Sequence, residues 1–168
     1  MNKYFLTGIF TILLYSCAQE TKPNPYEAML PAFNENAKVV HALFDAIEQE
    51  DLEAAAGFYS EEVKFNPPAY GADVLNKEQV VELYGGMMQL MNNIKANDRD
   101  FYPGVDSNFH PDGSVRAYLR WTADAENGAS GEIKAYEVFR FDADHKIVEV
   151  DEYLDNTGLL NVITAPAQ

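Results

Sequence analysis

Residues 135–155 read AYEVFRFDADHKIVEVDEYLD. Apolar and polar side chains alternate on both sides of a short polar stretch, the pattern of two strands joined by a turn. In the first half Ala135, Glu137, Phe139 and Phe141 share one face, and in the second half Val148, Val150, Glu152 and Leu154 do. Both faces are mainly apolar, so they are expected to point inward. A two-residue loop at Asp144-His145 sets Phe141 opposite Val148, Phe139 opposite Val150 and Glu137 opposite Glu152. Two carboxyls then meet inside an apolar wall. A slip of one residue would instead turn Glu152 outward.

The period of two extends upstream. Strands are expected near 95–105, 114–125, 131–142 and 146–154, with turns at Asn108–Gly113, Glu126–Gly131 and Ala143–His145. Before residue 94 the period is helical. Val40, Leu43, Phe44 and Ile47 make one apolar stripe on a helix over Asn34–Gln49. Asp51 is placed to cap a second, short helix running through Tyr59. Val63-Lys64-Phe65 reads as a short strand stopped by Asn66-Pro67-Pro68. Asn76 with Gln79 three residues on forms a capping box for a third helix. Its stripe is Val80, Leu83, Met87, Leu90/Met91 and Ile94, and Gly85-Gly86 marks a place of close approach. A short closing helix is expected near Thr157–Val162. This order predicts an α+β fold in which three helices cover one face of a curved antiparallel sheet.

The N-terminus carries an address. MNKYFLTGIFTILLYSC has a short positive start and an apolar run too short to span a bilayer, which takes about 20 residues. Leu14-Tyr15-Ser16-Cys17 resembles the lipobox of bacterial lipoproteins, in which the Cys is lipidated and becomes the new N-terminus. The alternative is an ordinary cleaved signal peptide with an incidental Cys. The expected organisation is therefore a signal peptide over 1–16, a Pro-bearing tether over 17–33 and one domain over 34–168. The expected location is the cell envelope, with the chain lipid-anchored at Cys17 in the outer membrane. Ala18 follows Cys17, so the Asp that retains some lipoproteins at the inner membrane is missing. The net charge of −15 argues against nucleic acid as a partner and against an anionic membrane surface as an anchor.

Two stretches carry a resemblance to a known family. EDLEAAAGFYSEEVKFNPP (50–68) and FRFDADHKIVEVDEYLDNTGLL (139–160), in this order and spacing, resemble the SnoaL-like branch of the nuclear transport factor 2-like superfamily. The resemblance covers about residues 36–163. It implies a cone-shaped fold whose apolar pocket opens at the wide end. The family includes ketosteroid isomerases, polyketide cyclases, epoxide hydrolases and dehydratases, together with members that only bind or dimerise, so fold alone does not settle function.

The candidate catalytic residues are Glu137, Glu152 and Asp155. In ketosteroid isomerases an Asp stands at the place of Glu137, where it stays protonated and donates a hydrogen bond to an oxyanion. The alternative for Glu137 is a solvated or Arg-paired residue at the rim. A facing Glu152 would raise the pKa of one of the two, the arrangement acid/base chemistry uses. Asp155 matches an Asp that ends the last strand in many members of the family; its alternative is a helix N-cap. The isomerase pattern is incomplete, because its helix-one Tyr falls on Leu43 and its general-base Asp on Pro67. The epoxide hydrolase pattern is incomplete too, because Arg120-Trp121-Thr122 lacks the second Asp.

Leu43, Tyr59, Phe65, Met87, Trp121 and Phe139 are expected to line the pocket. His41, His110 and His145 lack the company of a metal site, and no cofactor-binding motif is found, so neither metal nor cofactor is expected. Arg116, Tyr118, Arg120, Tyr136, Val138, Arg140, Glu149, Asp151 and Tyr153 fall on the outer face of the sheet. Clustered Tyr and Arg there point to a homodimer, the alternative being cross-strand salt bridges on a solvated face. The sequence thus suggests a membrane-anchored domain that binds a small apolar or amphiphilic molecule, with isomerase-, cyclase- or hydrolase-type acid/base chemistry. The alternative is a non-catalytic dimerisation or interaction module.

Overall fold

The computed structural model describes residues 24–155 apart from Glu126, together with Thr157, Gly158 and Asn161. The expected signal peptide, Cys17 and the first part of the tether lie outside the described residues, as do Leu159, Leu160 and Val162 of the expected closing helix. Among the described residues the elements follow in the order α1 (Pro25–Glu48), α2 (Leu52–Gly57), β1 (Tyr59–Asn66), α3 (Lys77–Leu90), β2 (Met91–Val105), β3 (Pro111–Ala125), β4 (Ser130–Phe141) and β5 (Ile147–Leu154). Helix α1 starts before the expected Asn34, so residues 25–33 are helix rather than tether.

The strands form one sheet of order β1-β5-β4-β3-β2. β1 runs parallel to β5, and the other neighbours are antiparallel. α1 lies across β2 and β3, while α3 packs on β1 and β2. Val40, Leu43, Phe44 and Ile47 of α1 are buried against Val115, Phe139, Ile147 and Val150 of the sheet, so the expected helical stripe is the core side of α1. The result is the expected α+β architecture, with three helices over a curved sheet.

The caps behave as the sequence requires. Asp51 accepts from the Ala54 amide at 2.9 Å and starts α2. Asn76 and Gln79 satisfy each other's backbone amides at 3.0 Å, a complete capping box. At Gly85 an added Cβ would come within 3.3 Å of the Leu52 side chain, so this glycine lets α2 approach α3.

Three expectations fail locally. α2 ends at Gly57, and Tyr59 begins β1 instead of closing the helix. α3 stops at Leu90, and Ile94 belongs to β2. Met91 and Ile94 are both buried although three residues apart. A strand allows this only through a bulge, and Asn93 supplies one with φ +53° where the β2–β3 register shifts. That bulge imitates helical spacing. The third departure is the β4–β5 turn. Asp142 N–H donates to the Lys146 carbonyl at 3.0 Å, leaving a three-residue loop with His145 at φ +59°. Phe141 therefore pairs with Ile147, not Val148, and the register then shifts. Beyond the shift Phe139 meets Val150 and Glu137 meets Glu152.

Candidate functional site

Glu137 sits in the middle of the sheet's inner face. Its neighbours across the strands are Ala117 on β3 and Glu152 on β5. Ala117 is fully buried and small, and Glu137 itself is only 4% exposed. The Trp121 indole N–H donates to Glu137 Oε1 at 2.9 Å. Trp121 is in turn held edge-on to Phe44 of α1, with ring centroids 5.1 Å apart. No hydrogen bond from any described residue reaches the Glu152 carboxyl.

Both carboxyls face a cavity of about 480 Å³. Its walls come from α1 (Phe44, Ile47), α3 (Tyr84, Met87), β2 (Met91, Ile94) and the inner face of the sheet. Leu83, Leu90 and Glu82 of α3 are exposed and form part of its lining. Gly86 also lines it, with open space where a Cβ would be. Among the described residues the charged side chains in the lining are Glu82, Glu137 and Glu152, and none is basic.

The electrostatics follow from this enclosure. Burial raises the Glu137 pKa from the ordinary 4.5 to about 7, and the Trp121 hydrogen bond partly opposes the rise. Burial also pushes Glu152 well above the ordinary range, and the neighbouring Glu137 charge adds to it. Behind the cavity wall the Tyr59 and Tyr84 hydroxyls share a hydrogen bond of 2.8 Å. Burial holds both phenols well above their ordinary pKa, so they remain neutral donors and acceptors.

The structure brings some of the expected site residues together and not others. Glu137, Glu152, Met87 and Trp121 line the cavity. Leu43, Tyr59, Phe65 and Phe139 do not; each is at most 2% exposed and lies in the core. Asp155 is exposed and outside the lining, and its Oδ1 accepts from the Thr157 amide at 3.0 Å, the capping type of contact. Tyr84 was missed. Val80 and Tyr84 are the buried positions of α3, whereas Leu83 is 38% exposed. The spacing Val80–Tyr84 is as helical as Val80–Leu83, and hydrophobicity alone favoured the Leu. Met91, Ile94 and Pro67 also line the cavity.

The outer face carries a row of tyrosines. Tyr118, Tyr136 and Tyr153 are cross-strand partners stacked at 4.7 and 5.4 Å, and Tyr102 meets Tyr118 edge-on at 5.9 Å. Tyr102, Tyr118 and Tyr153 are exposed. The arginines beside them are engaged on the sheet: Arg120 pairs with Asp98 and Glu132, and Arg140 with Glu149 and Asp151. Val138, expected on this face, is buried.

Comparison with known proteins gives one family. The SnoaL-like domain model matches residues 40–150. No curated protein matches the chain. Among solved structures, a candidate isomerase from Bacillus subtilis superimposes with a TM-score of 0.67 at 13% identity, covering 82% of this chain and 99% of that one. A candidate polyketide cyclase from Xanthomonas campestris gives 0.66 at 13% identity, covering 79% and 99%. The BvnE pinacolase from Penicillium brevicompactum gives 0.63 at 19% identity, covering 79% and 92%. At these identities the likeness is one of fold.

Proposed function

Because the chain belongs to the SnoaL-like domain family, we propose that it binds a small, largely apolar molecule in the 480 Å³ cavity and moves a proton on it through Glu137 and Glu152. One observation carries this reading: two carboxyls are direct cross-strand partners at the wall of an apolar cavity that no basic residue lines among the described residues. The roles follow from the hydrogen bonds. The Trp121 N–H favours the ionised form of Glu137, while Glu152 has no such donor among the described residues. Glu137, titrating near 7, is then the base, and Glu152, held protonated well above the ordinary range, the acid. A carboxyl base and a carboxylic acid side by side can serve isomerase-, cyclase- or hydrolase-type steps. The BvnE pinacolase and the candidate cyclase and isomerase share this fold, which makes such a reaction class reasonable here.

The test uses a small apolar carbon acid. The protein should speed deuterium uptake from heavy water into 2-tetralone, and Glu137→Gln should return the rate to that of buffer. Equal rates for the two proteins would overturn the acid/base role. Nile red fluorescence, which reports an apolar cavity without chemistry, separates binding from catalysis.

Two further features belong to the proposal. The exposed tyrosine row is the contact of a homodimer, supported by aromatic side chains that the sheet's own salt bridges leave uncovered. Cys17, after its apolar run, carries the lipid that holds the domain at the cell envelope. Mass spectrometry of the N-terminal peptide tests that anchor; an unmodified Cys17 refutes it.

A further inference from the structure

We infer that the cavity's ligand is an amphiphilic ammonium ion, an apolar body ending in a protonated amine that seats between Glu137 and Glu152. This rests on the proposed reading of the cavity as a ligand site and adds the ligand's charge. The observations are independent of any reaction. Among the described residues the charged members of the lining are all acids, with Glu82 exposed and Glu137 and Glu152 facing each other across adjacent strands. No Lys, Arg or His among the described residues lines the cavity to neutralise them. Trp121 occupies only Oε1 of Glu137, and Glu152 accepts no hydrogen bond from the described residues. Acceptor oxygens are thus left for the donors of an ammonium group. Phe44, Tyr84 and Trp121 supply aromatic walls, which attract cations by their ring faces. The chain's net charge of −15 favours approach of a cation and opposes that of an anion.

The groups that titrate around the seat are Glu82 and Tyr84 from α3, Tyr59 behind Tyr84 from β1, Glu137 from β4 and Glu152 from β5; α1, β2 and β3 contribute none to the lining. This makes the sign of the pH dependence diagnostic. An ammonium ion binds ionised Glu137, expelling its proton, and rests against the Glu152 carboxyl, so its affinity climbs as pH rises. A neutral ligand that accepts a hydrogen bond needs a protonated carboxyl, so its affinity falls.

Isothermal titration of the protein with octylamine and with 1-octanol, at pH 6 and pH 8, reads this directly. Octylamine should bind at least tenfold tighter than 1-octanol at pH 8. Its affinity should rise about tenfold from pH 6 to pH 8, because a group titrating near 7 passes from mostly protonated to mostly ionised over that range. The heat should vary with the buffer's ionisation enthalpy, showing proton release. Glu137→Gln should lose the pH dependence, whereas Glu152→Gln should retain it. If either fails to fold, Glu82→Lys at an exposed position should weaken octylamine more than 1-octanol. If 1-octanol binds as tightly as octylamine, the ammonium assignment is overturned while the cavity reading stands. If neither probe binds, and Nile red does not either, both are overturned.

Discussion

Replacing Glu137 with Gln should make this protein more stable at pH 8 and leave it almost unchanged at pH 4.5. Gln keeps an oxygen for the Trp121 N–H, which lies 2.9 Å from Glu137 Oε1, but cannot ionise. In the wild type the folded carboxyl holds its proton up to about 7, while the unfolded one releases it near 4.5. Between those values the native state binds more protons than the unfolded state, so stability falls as pH rises. The interval corresponds to roughly 3 kcal/mol at about 1.36 kcal/mol per pH unit. That sum belongs to the wild type and is absent from the variant. Burial lowers the His41 pKa, which acts with the opposite sign, but it does so equally in both proteins and cancels in the difference. Urea unfolding at pH 4.5, 6, 7 and 8 measures the effect. The curves should coincide at the acid end and separate steadily above pH 5. Parallel curves, or a variant less stable at pH 8, would refute the buried, proton-holding Glu137.

Other perturbations test neighbouring parts of the account. Trp121→Phe keeps a ring against Phe44 but removes the donor to Glu137. A lost hydrogen bond to a charged group, about 1.5–3 kcal/mol, should raise the Glu137 titration by about 1–2 pH units, visible by NMR. Gly86→Ala in α3 meets open space and should stabilise the helix by up to about 1 kcal/mol in thermal melts, while reducing Nile red uptake because Gly86 lines the cavity. Tyr136→Glu places a charge in the stacked tyrosine row and should convert a dimer to a monomer in sedimentation runs; a wild type that sediments as a monomer at high concentration ends the dimer proposal.

The sheet was legible because its residues alternate cleanly. Phe139–Val150 and Glu137–Glu152 follow from a period of two and a short turn, and both pairs are present. The turn itself is not legible, because His145 takes a positive φ where a glycine would be expected. A compensating register shift at Arg140/Phe141 then restores the expected pairs. The start of β2 was hidden for a related reason. With Asn93 bulged, Met91 and Ile94 reach the same side at helical spacing, and Asn is among the residues that tolerate such a backbone. Of the residues expected at the candidate site, Glu137, Glu152, Met87 and Trp121 are the ones that line the cavity. Sequence pattern separates inside from outside, but it does not separate side chains that fill the core, such as Phe65 and Phe139, from those one layer nearer the cavity, such as Phe44 and Ile94. That distinction depends on how α3 stands off the sheet, which no local pattern encodes.

The central claim is that two facing carboxyls share one apolar seat and resist ionisation together. Carbon-detected NMR of the Glu137 and Glu152 side-chain carboxyls between pH 3 and pH 10 tests it most directly. Glu137 should titrate near 7 and Glu152 well above the ordinary Glu range, with Glu137→Gln bringing the Glu152 midpoint down. Two independent titrations near the ordinary Glu value of about 4.3 would contradict it.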